Sequence, residues 1–294
     1  MANFAQRLAF AIDSKHSVVC VGLDPVMENL PQEVKARHHE PLRAIAEFCK
    51  GVIDATNEHC AILKPQAACF ERFGSRGVAV LEEVCEHAKK RGQMILLDAK
   101  RGDIGISANH YAASAVHLGV DAITLSGYLG PSTIEPYLEA GLGVFVLVRT
   151  SNPDSDVVQS LSLRDGRTVA EAMADIVTSL AAKGDAGTGA SGSSSISNVG
   201  CVVGATKSAD AVALRRRMPH QMFLIPGYGA QGGTATDIAQ MTRRGAKTLS
   251  EKGVLVNASR SVIYAKAGAG ESWLGAVGRA CVAMNVELNA VIAK

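Results

Sequence analysis

The stretch "QMILLDAKRGDIG" (residues 93–105) begins as an unbroken apolar run and then places two aspartates and a lysine within six positions. An apolar run without polar alternation suits a parallel strand buried on both faces. Runs of the same character recur on either side of it: "SVVCVGL", "CAILK", "DAITL", "GVFVLVR", "NVGCVVGA", "MFLIP" and "GVLVNAS", which with the first make eight. Between them lie stretches with helical apolar spacing, such as "PLRAIAEFCKGVIDAT" and "GVAVLEEVCEHAKKRG". Strand and helix in alternation predict an α/β fold. Eight units in 294 residues favour a closed (β/α)8 TIM barrel over an open doubly wound sheet. The absence of G-x-G-x-x-G after the first run points the same way.

One segment interrupts the alternation. "KGDAGTGASGSSSIS" (residues 183–197) has the composition of a flexible linker. Only three strand-helix units follow it, and three parallel units alone would leave an unpaired edge. The expectation is therefore a single domain, residues 1–294, with a Gly/Ser-rich insert at about 184–197. That insert leads from the fifth helix into the sixth strand, on the barrel face away from the strand C-termini.

Composition narrows the function. Hydrophobic residues make up 47% of the chain, ample for a large core, while a net charge of +2 and 4% aromatics offer no basic stripe or stacking platform for nucleic acid. No apolar run is long enough to span a membrane. The N-terminal "MANFAQRLAFAIDSKHS" reads as an amphipathic helix with Phe4, Leu8 and Ile12 on one face, lacking a signal-peptide core and cleavage site. Seven cysteines without a CxxC pair or zinc-ligand spacing fit a reducing cytoplasm.

The charges at the ends of the buried runs carry the functional signal. Asp98 and Lys100 lie two apart on a strand, so their side chains share a face, and Asp103 follows just beyond. The first run ends in Asp24 and the second in Lys64. In a barrel these five residues are expected to meet at the C-terminal rim, where such folds keep their chemistry. Buried ions cost several kcal/mol each unless they pair, so the array marks either a functional site or a ring of salt bridges closing the mouth. After the seventh and eighth runs, "IPGYGAQGG" and "NASRS" bring Gln231 and Arg260 into the loops that these barrels use to bind phosphate. His110 and His117 fall in a helical pattern and read as surface or packing residues.

In chain order, "LDP", "LKP", "DAKRGDI", "RTSNP", "VVGAT", "IPGYGAQGG" and "SRSVIY" resemble the motifs of the orotidine 5'-phosphate decarboxylases, and more closely those of the type 2 subfamily. The likeness runs nearly end to end. Its Asp-x-Lys-x-x-Asp element is shared with relatives of other activities, but the combination with Ser-Asn-Pro and Pro-Gly-x-Gly-Ala-Gln-Gly-Gly is far more specific. The resemblance implies decarboxylation of orotidine 5'-phosphate to uridine 5'-phosphate, the last step of de novo UMP synthesis, with no cofactor: neither metal, pyridoxal nor flavin.

It also implies roles for individual residues. Lys100 is the proton donor, Asp98 lies against the substrate carboxylate, and Lys64 bridges Asp98 and Asp24. Asp24 and Lys64 meet the ribose 3'-hydroxyl, Ser151 bonds the pyrimidine, and Gln231 and Arg260 hold the 5'-phosphate. Asp103 and Ser107 reach the site of the other subunit, and Ile104 lines the base pocket across the interface, so a homodimer is expected. Two stretches depart from the family pattern. Ile106-Ser107 stands where Ser-Thr is common, and Ser126-Gly127-Tyr128 where type 2 members often have Asn-Pro-Tyr. Two other readings stay open: a metal-dependent enediolate enzyme acting on a sugar phosphate, and a phosphate-ligand binding barrel without turnover.

Overall fold

A computed structural model describes residues 2–186, 196–229 and 231–292. All eight apolar runs form strands: β1 (Val19–Leu23), β2 (Ile62–Pro65), β3 (Met94–Arg101), β4 (Ala122–Leu125), β5 (Gly143–Arg149), β6 (Val199–Val203), β7 (Phe223–Ile225) and β8 (Val254–Ala258). They pair in chain order, and β8 pairs in parallel with β1 to close the barrel. Strands β1, β2, β4, β6, β7 and β8 are buried at every position. Helices cover the outer face and side chains fill the inner one, so neither face needs polar residues.

The covering helices follow their strands. After α1 (Phe4–Lys15) come α2 (Pro41–Thr56), α3 (Gly74–Lys90), α4 (Gly105–His117), α5 (Glu135–Glu139), α6 (Val169–Ala186), α7 (Ser208–Arg217), α8 (Ala235–Gln240), α9 (Arg260–Ile263) and α10 (Trp273–Ile292). Helix α2 illustrates why they form. Pro41 occupies the first turn, where its missing N–H costs nothing, and Leu42, Ile45, Phe48, Cys49, Val52 and Ile53 make one buried stripe. Each such side chain contributes about 1.5–3 kcal/mol on burial.

Helix α1 lies across the N-terminal ends of the strands. Asn3 caps it with a reciprocal capping box, and Phe4, Leu8 and Ile12 are buried, as the amphipathic pattern predicts. Phe4 meets Phe145 edge-on, with ring centroids 6.1 Å apart. A Cβ on Gly143 would come within 2.1 Å of the Phe4 ring, so only glycine lets that ring close the barrel floor.

Residues 187–195, the centre of the expected Gly/Ser insert, lie outside the described residues. Its flanks are the end of α6 at Ala186 and the buried Ile196 and Ser197 ahead of β6. His110 and His117 are exposed on α4. All seven cysteines are unpaired thiols, and no helix among the described residues is long and apolar enough to cross a membrane.

Candidate active site

Asp98 on β3 is the hub of the strand-end charges. It is 7% exposed, and four donors converge on its carboxylate. Lys64 Nζ donates to Oδ2 at 2.7 Å and Gln66 Nε2 to the same oxygen at 3.1 Å, while Lys100 Nζ donates to Oδ1 at 2.6 Å and Thr124 Oγ1 at 3.0 Å. Burial by itself would raise the Asp98 pKa. The ammonium charges of Lys64 and Lys100 outweigh it and hold the carboxyl well below its usual range. Burial pulls the Lys64 pKa down in turn, but Asp98 and then Asp24 overcome it and hold the ammonium above its ordinary value. Asp98 and Lys64 both stay charged at neutral pH.

Lys100 arrives by a route that strand periodicity does not predict. Its φ of 47° lies in the left-handed region, and the β3–β4 register shifts between Leu97 and Arg101. Such a backbone costs a non-glycine residue roughly 1–2 kcal/mol. Side-chain alternation therefore brings Asp98 and Lys100 to the same place for the wrong reason: a bulge, not a regular strand, returns the ammonium to the carboxylate.

A cavity of about 520 Å³ opens over this cluster. Asp24, Lys64, Asp98 and Lys100 line it, together with Ser151, Gln231 and Arg260 from the β5, β7 and β8 loops. The Arg260 side chain is exposed and makes no hydrogen bond or ion pair among the described residues. Ser151 sits close against Gly204, where a Cβ would come within 2.7 Å of the Ser151 Cα. Arg149, 3% exposed at the end of β5, braces the loop that carries Ser151. It donates to Asp210 at 2.7 Å and Ser155 at 3.1 Å and pairs with Asp156.

Two expectations about the charged cluster change within one chain. Asp103 does not join this chain's charged cluster: its Oδ1 accepts the Ile104 N–H at 2.8 Å, and it lies outside the cavity lining. Ile104, 62% exposed, and Ser107 lie outside this chain's own cavity, their expected place being the site of a second copy. Lys64 reaches Asp98 but makes no ion pair with Asp24, whose Oδ1 is buried without a hydrogen-bond partner.

Sequence reasoning missed Gln66, Thr124 and Arg149 as parts of the site. Gln66 had a usable signal, standing two residues beyond Lys64 just past the end of the second apolar run. Thr124 had none, since threonine is ordinary in a strand.

The sequence matches the family described as orotidine 5'-phosphate decarboxylase / HUMPS over residues 17–272. An orotidine 5'-phosphate decarboxylase of Rhodopirellula baltica is 39% identical over 313 residues, covering 98% of this chain and 99% of that relative. The protein of the same name from Halobacterium salinarum is 40% identical over 291 residues, covering 98% of each chain. Among solved structures, OMP decarboxylase from Leishmania donovani aligns over 100% of both chains with a TM-score of 0.78 and 32% identity.

Proposed function

The chain belongs to the orotidine 5'-phosphate decarboxylase / HUMPS family, and we infer from that premise that it converts orotidine 5'-phosphate to uridine 5'-phosphate and carbon dioxide. One observation carries the reading: the cavity holds a buried Asp98 between two lysines at one end and, at the other, Gln231 with an Arg260 that has no partner among the described residues. The substrate needs both ends. Its 5'-phosphate occupies the Arg260 end, and its C6 carboxylate stands beside Asp98 and Lys100.

Breaking the bond from C6 to the carboxylate leaves the electron pair on C6, outside the ring π system, where delocalisation cannot spread it. A fixed positive charge has to do that work. Lys100 stabilises the developing charge and then transfers an Nζ proton to C6, and water restores the ammonium after product leaves. Because Asp98 is held by four donors, the cluster reorients little as charge moves. Asp24, with its buried unpartnered oxygen, and Lys64 receive the ribose hydroxyls. Ser151 bonds the pyrimidine.

An ultraviolet assay of orotidine 5'-phosphate consumption, with and without chelator, tests the reading. Turnover unaffected by chelator is expected. No turnover sinks it, and turnover lost to chelator and restored by magnesium would favour a metal-dependent relative.

The chain is a type 2 member acting in the cytoplasm as a homodimer. Seven unpaired thiols support the reducing compartment, and the end-to-end order of the motifs supports the subfamily. For the dimer, Ile104 at 62% and Ile106 at 72% exposure at the start of α4, with Tyr128 at 83% and Leu129 at 51% in the loop after β4, put apolar side chains on the surface. A second copy covers them and brings its Asp103 and Ser107 to this site. Mixing inactive Lys100→Ala with inactive Asp103→Asn under subunit exchange then places both defects in one site of each mixed dimer. About a quarter of wild-type activity should return. No recovery despite demonstrated exchange rules out the shared site.

A further inference from the structure

Strands β3 and β4 run in register at Leu96 with Ala122 and at Leu97 with Ile123, and pairing resumes at Arg101 with Leu125. Asp98, Ala99 and Lys100 therefore stand opposite Thr124 alone. A bulge of this size takes backbone N–H groups off the ladder, and buried N–H groups need other acceptors. The Thr124 side chain supplies one. Its Oγ1 accepts the Lys100 N–H at 2.9 Å and the Ala99 N–H at 3.1 Å, and it donates to Asp98 Oδ1 at 3.0 Å. A hydroxyl offers one proton and two lone pairs, and here all three are used.

We propose that Thr124 is a positioning residue for the decarboxylation: its hydroxyl holds the left-handed bend at Lys100 and thereby sets where the ammonium stands relative to Asp98. The proposal rests on the reaction assigned above to Lys100. Only two non-glycine residues among those described have positive φ, His16 and Lys100. His16 caps the end of α1, an ordinary place for that backbone, with its own N–H bonded back into the helix. Lys100 has no such local support. Glycine would adopt the bend freely, but glycine has no ammonium. A lysine at this position is held in the bend by bonds from outside its own strand, and Thr124, 1% exposed and 24 residues further along, makes them.

The same atom ties the two halves of the cluster together. Asp98 Oδ1 receives both the Thr124 hydroxyl and the Lys100 ammonium. One oxygen thus anchors the bend and its outcome. Valine has the shape of threonine without the hydroxyl. In Thr124→Val the two N–H groups lose their acceptor, Lys100 relaxes toward extended backbone, and Nζ moves off the carboxylate.

The test compares Thr124→Val and Thr124→Ser with wild type in kcat, KM, uridine 5'-phosphate affinity and melting temperature. Misplacement on the ångström scale costs about 100-fold, so Thr124→Val should lose about that in kcat while product affinity stays within about 3-fold. Thr124→Ser keeps the hydroxyl and should stay within about 5-fold of wild type in kcat. Wild-type kcat in Thr124→Val, a parallel loss of kcat and product affinity, or failure of serine to rescue would each overturn the proposal. Should Thr124→Val not fold, Thr124→Cys, with only a weak sulfur acceptor, reads the same loss. A crystal structure of the folded variant separates this idea from the reaction itself. If wild type has no decarboxylase activity the reaction is wrong, and if Lys100 keeps its positive φ without the hydroxyl the positioning role is wrong.

Discussion

At the β1–β3 end of the cavity Asp98 is 7% exposed and receives four hydrogen bonds, whereas at the β7–β8 end the Arg260 side chain is exposed and has no partner among the described residues. The two ends handle charge in opposite ways. At the first, Asp98 and Lys64 are taken out of water and, with the half-exposed Lys100, stabilise one another, so their arrangement exists before substrate arrives. At the second, the guanidinium stays hydrated and is ready for a dianion that brings its own charge and acceptors. The difference suits the labour assigned to each. Charge development at C6 gains from groups that do not move, while phosphate binding gains from a donor that sacrifices nothing else to engage.

Removing the moving proton at the fixed end should have the largest effect. Lys100→Ala should cut turnover by about 10⁴-fold or more, because it deletes both the proton donor and a preorganised charge. Affinity for uridine 5'-phosphate should remain measurable, since the β5, β7 and β8 loops are untouched. Turnover near the wild-type level would break the comparison at its root.

Stability reports the fixed end independently of rate. Asp98 has a folded pKa below its unfolded value, so its stabilisation is complete above about pH 4 and is lost as pH falls below that. Lys64 has a folded pKa above its unfolded value, so its share is complete below about pH 10 and is lost at higher pH. Asp98→Asn leaves the buried Lys64 ammonium facing a neutral amide, at a cost of about 3–5 kcal/mol. The gap in unfolding free energy between wild type and this variant should be flat from about pH 5 to 9 and narrow below about pH 4. Urea denaturation across that range measures it. A gap that changes through neutrality would mean that Asp98 is not the hub.

The two ends also differ in how far they could be read in advance. Eight strands were legible because parallel strands buried on both faces leave unbroken apolar runs, and a charge inside such a run, as at Asp98, is visible at once. Gln231 and Arg260 were legible because a barrel's last two loops have a characteristic use. The bend at Lys100 was not. Nothing in "LDAKR" contains the glycine that a left-handed residue suggests, and the bonds that support it come from β4. The links of Arg149 to Asp156 and Asp210 also join residues far apart along the chain, which spacing cannot show.

The hydrated end yields a smaller, more specific loss. Arg260→Ala removes a charge-assisted contact of about 1.5–3 kcal/mol, so kcat/KM for orotidine 5'-phosphate should fall roughly 10- to 150-fold. Phosphate-free orotidine should lose little, because it has no group for Arg260 to hold. Equal losses on both substrates would make Arg260 structural and reassign the phosphate grip.

The smallest effect is expected at the opposite face of the barrel. Residues 187–195 join the end of α6 to the start of β6, and the strand end they reach is the one away from Asp98 and Arg260. Replacing them with a short Gly-Ser-Gly linker changes the closure entropy of one connection, which varies only slowly with length. Steady-state kcat/KM should stay within about 2-fold of wild type, and the melting temperature should change by a few degrees at most. The measurement needs a folded protein, which circular dichroism establishes first. A folded variant with lost turnover would mean that this connection communicates with the far rim, and the division of labour would then have to include the barrel floor.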